Sequence, residues 1–212
     1  MEQVTKLYYR KRAEELIRQI QRRHSEAWYC DTREEALRKA LELIPEGSTV
    51  GWGGAMSAQQ IGLMEALNAG NYHTLDRAKV STPEERENLA RECFRADFFL
   101  TGANALSMDG QMVNIDGTGN RVAAIIYGPA NVLVIAGMNK VCDTLEDAVR
   151  RARTVAAPMN QQRFLGKTPC TGTGRCGDCL SDSCICNQIV ITRNSRIPGR
   201  IKFILVGEEL GF

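Results

Sequence analysis

The 212 residues suffice for one domain with a full hydrophobic core, so stability alone does not require the eight cysteines. Hydrophobic residues make up 43% and charged residues 25%, as in an ordinary globular protein, and the longest apolar runs, such as VLVIAG, are far too short to span a bilayer. A net charge of +2 and an aromatic fraction of 6% argue against a nucleic-acid partner.

Residues 1–24, MEQVTKLYYRKRAEELIRQIQRRH, carry charge throughout and lack both an apolar signal core and a small-residue cleavage site, so a cytoplasmic location is expected. In such a reducing compartment clustered cysteines serve more often as ligands or redox thiols than as disulfides. Val4, Leu7, Tyr8, Leu16, Ile17 and Ile20 recur at helical spacing and predict a long amphipathic helix. Its cations Lys6, Arg10, Lys11, Arg12, Arg18, Arg22 and Arg23 make either a solvated face or a docking surface.

AWYC reads as a strand, and Thr32 with Glu35 forms a capping box that opens a helix to about Ile44. STVGW is a buried strand; Ser57 is placed to cap a helix ending at Gly70, and YHTL follows as a strand. Thr82, Pro83 and Glu85 open the next helix. The apolar runs ADFFLTG and NVLVIAG suit central strands covered on both faces. Between them SMDGQMVNID predicts a hairpin turning at Asp109-Gly110, and a short helix lies around NRVAAIIYG. Thr144 caps a last long helix to about Ala157, and QIVITR and IKFILVG supply two further strands. The alternation of strand and helix predicts an α/β fold of three layers with a largely parallel central sheet. We expect one domain over 1–212, with the 1–24 helix and a cysteine-rich loop, 168–187, as appendages.

In open α/β sheets ligands collect beyond the carboxyl ends of strands. The loop GWGGAMS, 51–57, offers Gly51, Gly53 and Gly54, whose backbone freedom lets main-chain N–H groups approach a phosphate or carboxylate, with the Ser57 hydroxyl beside them. It matches neither G-x-G-x-x-G nor a Walker sequence, and glycines in such a turn also serve packing alone. The segment 101–121 gathers Asn104, Asp109, Asn114, Asp116, Gly117, Thr118, Asn120 and Arg121. Asp116 and Asn114 are candidates for proton transfer or hydroxyl binding and Arg121 for clamping an acid, whereas Asp109 reads as a turn residue. Lys140 and Asn139, just after NVLVIAG, project toward the same rim. The two histidines, His24 and His73, read as structural.

The stretch CTGTGRCGDCLSDSCIC, 170–186, holds Cys170, Cys176, Cys179, Cys184 and Cys186. Cys176-x-x-Cys179 is a metal-gripping knuckle, and Cys184 and Cys186 can close a four-sulfur shell around zinc or an iron–sulfur cluster. Arg175 would favour the thiolates. A reversible dithiol pair at Cys176 and Cys179 and an inert loop are the other readings. Cys30, Cys93 and Cys142 suit the core.

The succession TVGWGGAMS, then FFLTGANALSMDGQMVNIDGTGNRVAAIIYGPANVLVIAGMNKV, resembles the LUD-domain family of lactate utilisation proteins over about residues 30–160. The resemblance implies a fold similar to ribose-5-phosphate isomerases and CoA-transferases, with Gly51, Gly53, Gly54, Ser57, Asn114, Gly117, Thr118 and Asn120 in the stretches that line the pocket. It further implies a small carboxylate or phosphate-bearing metabolite, in organic-acid use. Some such proteins belong to an iron–sulfur system oxidising lactate, which implies an electron-transfer partner as the alternative, although the ferredoxin spacing C-x2-C-x2-C-x3-C-P does not occur here. A thiol redox sensor is a third reading, and self-association is left open.

Overall fold

The computed structural model describes residues 2–212, so Met1 of the expected N-terminal helix lies outside the described residues. Helix α1 (Glu2–Arg22) leads to β1 (Glu26–Cys30), α2 (Arg33–Leu43), β2 (Thr49–Trp52), the short helices α3 (Met56–Gln60) and α4 (Leu63–Ala69), and β3 (His73–Leu75). Then come α5 (Pro83–Glu92), β4 (Phe98–Gly102), β5 (Ala105–Ser107), β6 (Met112–Asp116), α6 (Asn120–Tyr127) and β7 (Asn131–Gly137). The chain closes with β8 (Val141–Cys142), α7 (Leu145–Arg151), α8 (Ala157–Gln161), α9 (Pro169–Thr173), β9 (Gln188–Thr192) and β10 (Ile201–Val206). No helix among the described residues is long and apolar enough to cross a membrane.

Six strands form an all-parallel sheet in the order β1-β10-β7-β4-β2-β3, which bears out the α/β expectation. Alternate residues of its central strands point to opposite faces. Phe99, Val132, Val134, Phe203 and Leu205 pack with Ala13, Leu16 and Ile20 of α1 and Ala124 and Ile125 of α6. Val50, Leu100, Leu133, Ile135, Ile204 and Val206 pack with Ala36 and Ala40 of α2, Ala58 of α3 and Leu63 and Leu67 of α4. Three layers follow from this two-sided burial.

A second sheet, β8-β5-β6-β9, carries the expected hairpin at Asp109-Gly110 and backs onto α7 and the π-helical turn Ala152–Ala156. QIVITR joins this sheet, antiparallel to β6, and not the central one.

Three local expectations are corrected. The helix expected from Ser57 to Gly70 breaks at Gly62, whose φ of +78° lies in the left-handed region. Ser57 lies inside α3 and caps nothing; its hydroxyl is buried against Lys140. The last long helix passes through the π turn and reaches Gln161. The caps at Thr32, Thr82 and Thr144 hold, each hydroxyl accepting the N–H three residues on.

The cations of α1 are largely turned to intramolecular partners. Arg12 pairs with Asp143 at 2.6 Å, Arg23 with Asp109 at 3.0 Å, Arg10 with Asp31 and Arg18 with Glu15.

Candidate ligand-binding site

From β2 the chain moves outward to β3 at one edge, whereas β4, β7 and β10 extend the sheet the other way. The strand order therefore reverses between β2 and β4, and a crevice opens beyond their carboxyl ends, where α/β sheets hold ligands. A cavity of about 320 Å³ fills it, near the lower end of the roughly 300–1,000 Å³ of small-molecule sites. Gly53, Gly54 and Ser57 line it after β2, Asn104 after β4, Asp116 to Arg121 after β6, and Lys140 after β7.

Two cations lie at its base. Arg121 is held by the carbonyls of Gly102 at 3.4 Å and Ile115 at 2.5 Å and by Asn104 Oδ1 at 3.2 Å. Lys140 is 4% exposed, and Nζ donates to Ser57 Oγ at 3.2 Å. Burial, then the charges of Arg151 and Arg121, push the Lys140 amine down to about 7. Burial likewise lowers Arg121, against the opposing pull of Asp116. Arg151 stands behind them, its guanidinium donating to the carbonyls of Asn139 and Asn104 at 3.1 and 2.6 Å. Asp116 is the one carboxylate side chain in the lining, at 3.8 Å from Arg121 Nε.

That carboxylate is already engaged. Asp116 Oδ1 accepts from Gly119 N, and Oδ2 accepts from the N–H groups of Arg121 and Val122, each at 3.1 Å. It thereby organises the turn 117–120 and satisfies orphan donors at the start of α6. Asn114 is fully buried behind the cavity wall; it donates to the Gly102 carbonyl at 3.1 Å, and its Oδ1 has no hydrogen-bond partner.

None of the loop glycines uses a left-handed backbone, and only Gly51 is required by its small size. Gly51, Gly53 and Gly54 all have ordinary φ values. Gly51 stands apart from the cavity, inside β2, where a Cβ would meet Cys93 Sγ at 2.6 Å. At Gly53 and Gly54 a Cβ would sit in ordinary contact with the side chains of Arg121 and Arg163, at 3.7 and 3.8 Å.

Sequence reasoning missed Arg77, Arg163 and Gly211. Arg77 follows β3, so the rule of strand carboxyl ends applied to β3 would have found it. Nothing local marks Arg163, at the end of the last helical run. Gly211, with φ +62°, closes over the lysine: a Cβ there would lie 2.7 Å from Lys140 Nζ and 2.8 Å from Ser57 Oγ. Asn139, expected at the rim, instead accepts from Leu210 N at 3.2 Å and anchors that closing segment. Asp109 accepts from Ser107, Gln111 and Arg23, as a turn residue does. His24 ends α1 with φ +59° against the Ser195 carbonyl, and His73 sits on the edge strand β3.

All five cysteines of the 170–186 segment line a second cavity of about 100 Å³, with Arg153, Ala157, Pro158, Gln161 and Ile189. Each is a free thiol, and no group of three or more His, Cys, Asp or Glu side chains among the described residues converges in metal-ligating geometry. Cys30 and Cys93 are buried and Cys142 half-buried.

The model of the LUD domain matches residues 13–206. The chain belongs to the LUD domain family. A DUF162 family protein from Deinococcus radiodurans has a similar structure, at 14% identity and a TM-score of 0.52, covering 93% of this chain and 97% of that one. That likeness shows the fold of this LUD domain. Ribose 5-phosphate isomerase A from Methanocaldococcus jannaschii matches at 14% identity and a TM-score of 0.36, covering 67% of this chain and 66% of that one. The enzyme from Neisseria gonorrhoeae matches at 20% and 0.34, over 53% of this chain and 54% of that one; both likenesses are too partial to support an argument. Among curated proteins no match is found.

Proposed function

We propose that this LUD domain binds a small carboxylate or phosphate-bearing metabolite, with the anionic group between Lys140 and Arg121. The observation that carries the reading is a pair of buried cations in a cavity whose lining offers one carboxylate side chain, itself engaged by three main-chain N–H groups. Burying a cation with no acidic partner is costly; Lys140 has only the Ser57 hydroxyl, and the Asp116 carboxylate 3.8 Å from Arg121 is shared with three N–H groups, so an anion entering this cavity supplies counter-charge. Arg121, immobilised by Gly102, Asn104 and Ile115, offers a fixed, delocalised charge; Lys140 offers a compact point charge. Ser57 contributes a hydroxyl that can turn to a ligand when Lys140 does. Arg77 and Arg163 at the mouth draw anions inward. The volume suits acids of a few carbons, which is compatible with the organic-acid role that the family's name carries.

The test is a thermal-shift screen of hydroxy acids, oxo acids, dicarboxylates and sugar phosphates at pH 6, with Arg121→Gln alongside. At least one class should raise the wild-type midpoint, with the shift lost in the variant. If no acid or phosphate shifts the wild type, or if the shift survives Arg121→Gln, the reading is wrong.

A further inference from the structure

We propose that the 170–186 segment is a thiolate site for a thiophilic metal centre, built beside the anion cavity and separate from it. Of the eight cysteines, five line one cavity, although they come from a helix and an irregular loop spanning 17 residues of sequence, 170 to 186. They do not behave as core residues: Cys176 is exposed and the other four are half-buried, unlike Cys30 and Cys93. Exposed free thiols are a liability for a protein unless something uses them.

The segment is also held at both ends, on either side of the cavity its cysteines line. At the start, Thr168 caps α9 and Gln162 Nε2 donates to the Cys170 carbonyl at 2.8 Å. At the end, Asn187 N donates to the Asp116 carbonyl at 3.0 Å and Asn187 Nδ2 to the Gly117 carbonyl at 2.9 Å. Between them Gly177 passes Pro169 so closely that a Cβ would lie 3.0 Å from the ring, and Asp178 is tied to Arg153. No regular secondary structure and little apolar packing hold 174–187; Leu180, its largest hydrophobe, is fully exposed. A ligand bridging the sulfurs would supply the missing cross-link, as metals do in small irregular segments.

The donor set selects the ligand class. Thiolate sulfur is soft and suits zinc, copper(I) and iron–sulfur centres over magnesium or calcium. A single tetrahedral ion needs its sulfurs about 2.3 Å from one point, whereas a cluster takes thiolates at its corners, around a volume. Five sulfurs on the wall of one cavity are one more than a single tetrahedral ion takes. Each ligating thiol loses its proton to solvent as its sulfur bonds to metal; zinc loads with no electron transfer, and an iron–sulfur centre does so when its ferric and ferrous ions are both supplied.

The experiment uses the full chain, purified without oxygen, then incubated with ferrous and ferric iron and sulfide or with zinc, and desalted. Retained metal is counted and visible absorption is recorded. Cys176→Ser and Cys184→Ser are compared with Cys142→Ser, which leaves the cavity intact. Either iron with sulfide and a sulfur-to-iron absorption band, or zinc replaceable by cobalt with a thiolate-to-cobalt band, supports the site and says which centre it holds. Retention should fall several-fold in Cys176→Ser and Cys184→Ser and be unchanged in Cys142→Ser, with circular dichroism confirming that all three fold. The proposal is overturned if no metal is retained, if retention ignores Cys176 and Cys184, or if the segment is found only as a reversible Cys176–Cys179 disulfide. None of these readouts depends on a ligand of the anion cavity.

Discussion

Replacing Lys140 by methionine should stabilise the ligand-free protein, and by an amount that depends on pH. The lysine's pKa falls from 10.5 in the unfolded chain to about 7 in the fold, chiefly by burial. Below pH 7 both states hold the proton and the fold bears the whole cost of the buried ammonium. Between pH 7 and 10.5 the unfolded chain binds more protons, so stability rises with pH; above 10.5 the penalty is gone. At 1.36 kcal/mol per pH unit the penalty is about 5 kcal/mol at pH 6 and about 2 kcal/mol at pH 9. Methionine removes it while keeping an unbranched chain of similar length. The lost hydrogen bond to Ser57, worth about 1 kcal/mol, is common to both conditions while Lys140 donates and cancels to first order in the comparison. Urea denaturation of both proteins in a buffer free of small carboxylates and phosphate should show the variant ahead, with its advantage shrinking by about 2–3 kcal/mol from pH 6 to pH 9. An advantage that is constant, or larger at pH 9, would refute the claim that Lys140 is a buried cation without an anionic partner.

Gly51→Ala places a methyl 2.6 Å from Cys93 Sγ and should cost about 1–3 kcal/mol, with Cys93→Ala recovering part of the loss in the double variant; additive losses in a denaturant cycle would count against the clash. Asp116→Ala strips three main-chain N–H groups of their acceptor, so it should destabilise by about 1–3 kcal/mol and weaken anion binding, with Asp116→Asn intermediate in both denaturation and calorimetry. Gly211→Ala drives a methyl onto Lys140 and Ser57 and imposes a left-handed backbone on alanine. Ligand affinity measured by calorimetry should drop at least several-fold; unchanged affinity would show that the chain end does not close the site.

How much of this was legible depended on how local the determining physics is. FFLTG and NVLVIAG announced central strands because burial on both faces leaves a continuous apolar run. The threonine caps were legible because a cap is made within four residues. QIVITR was legible as a strand but not its sheet, because its partner β6 lies more than seventy residues away and period-two patterning does not name a partner. Ser57 looked like a cap from its place before an apolar helix, but its hydroxyl answers to Lys140, eighty-three residues on. Lys140 itself was found from strand logic alone, as a polar residue just past a central strand. Arg163 was not, since it reaches the cavity only by the path of the last helices. The glycines were singled out on an argument from backbone freedom, whereas none has a positive φ and only Gly51 is needed for its lack of a side chain.

The measurement that bears most directly on the anion site is proton uptake on binding, read by calorimetry in buffers of differing ionisation enthalpy, with the acid or phosphate that gives the largest thermal shift. An anion beside Lys140 raises the amine's pKa from about 7, so binding at pH 8 should draw about nine-tenths of a proton from solvent and binding at pH 6 about a tenth or less. Lys140→Met should abolish the difference. Binding at pH 8 with no proton uptake, or with release, would place the anion elsewhere and contradict the account.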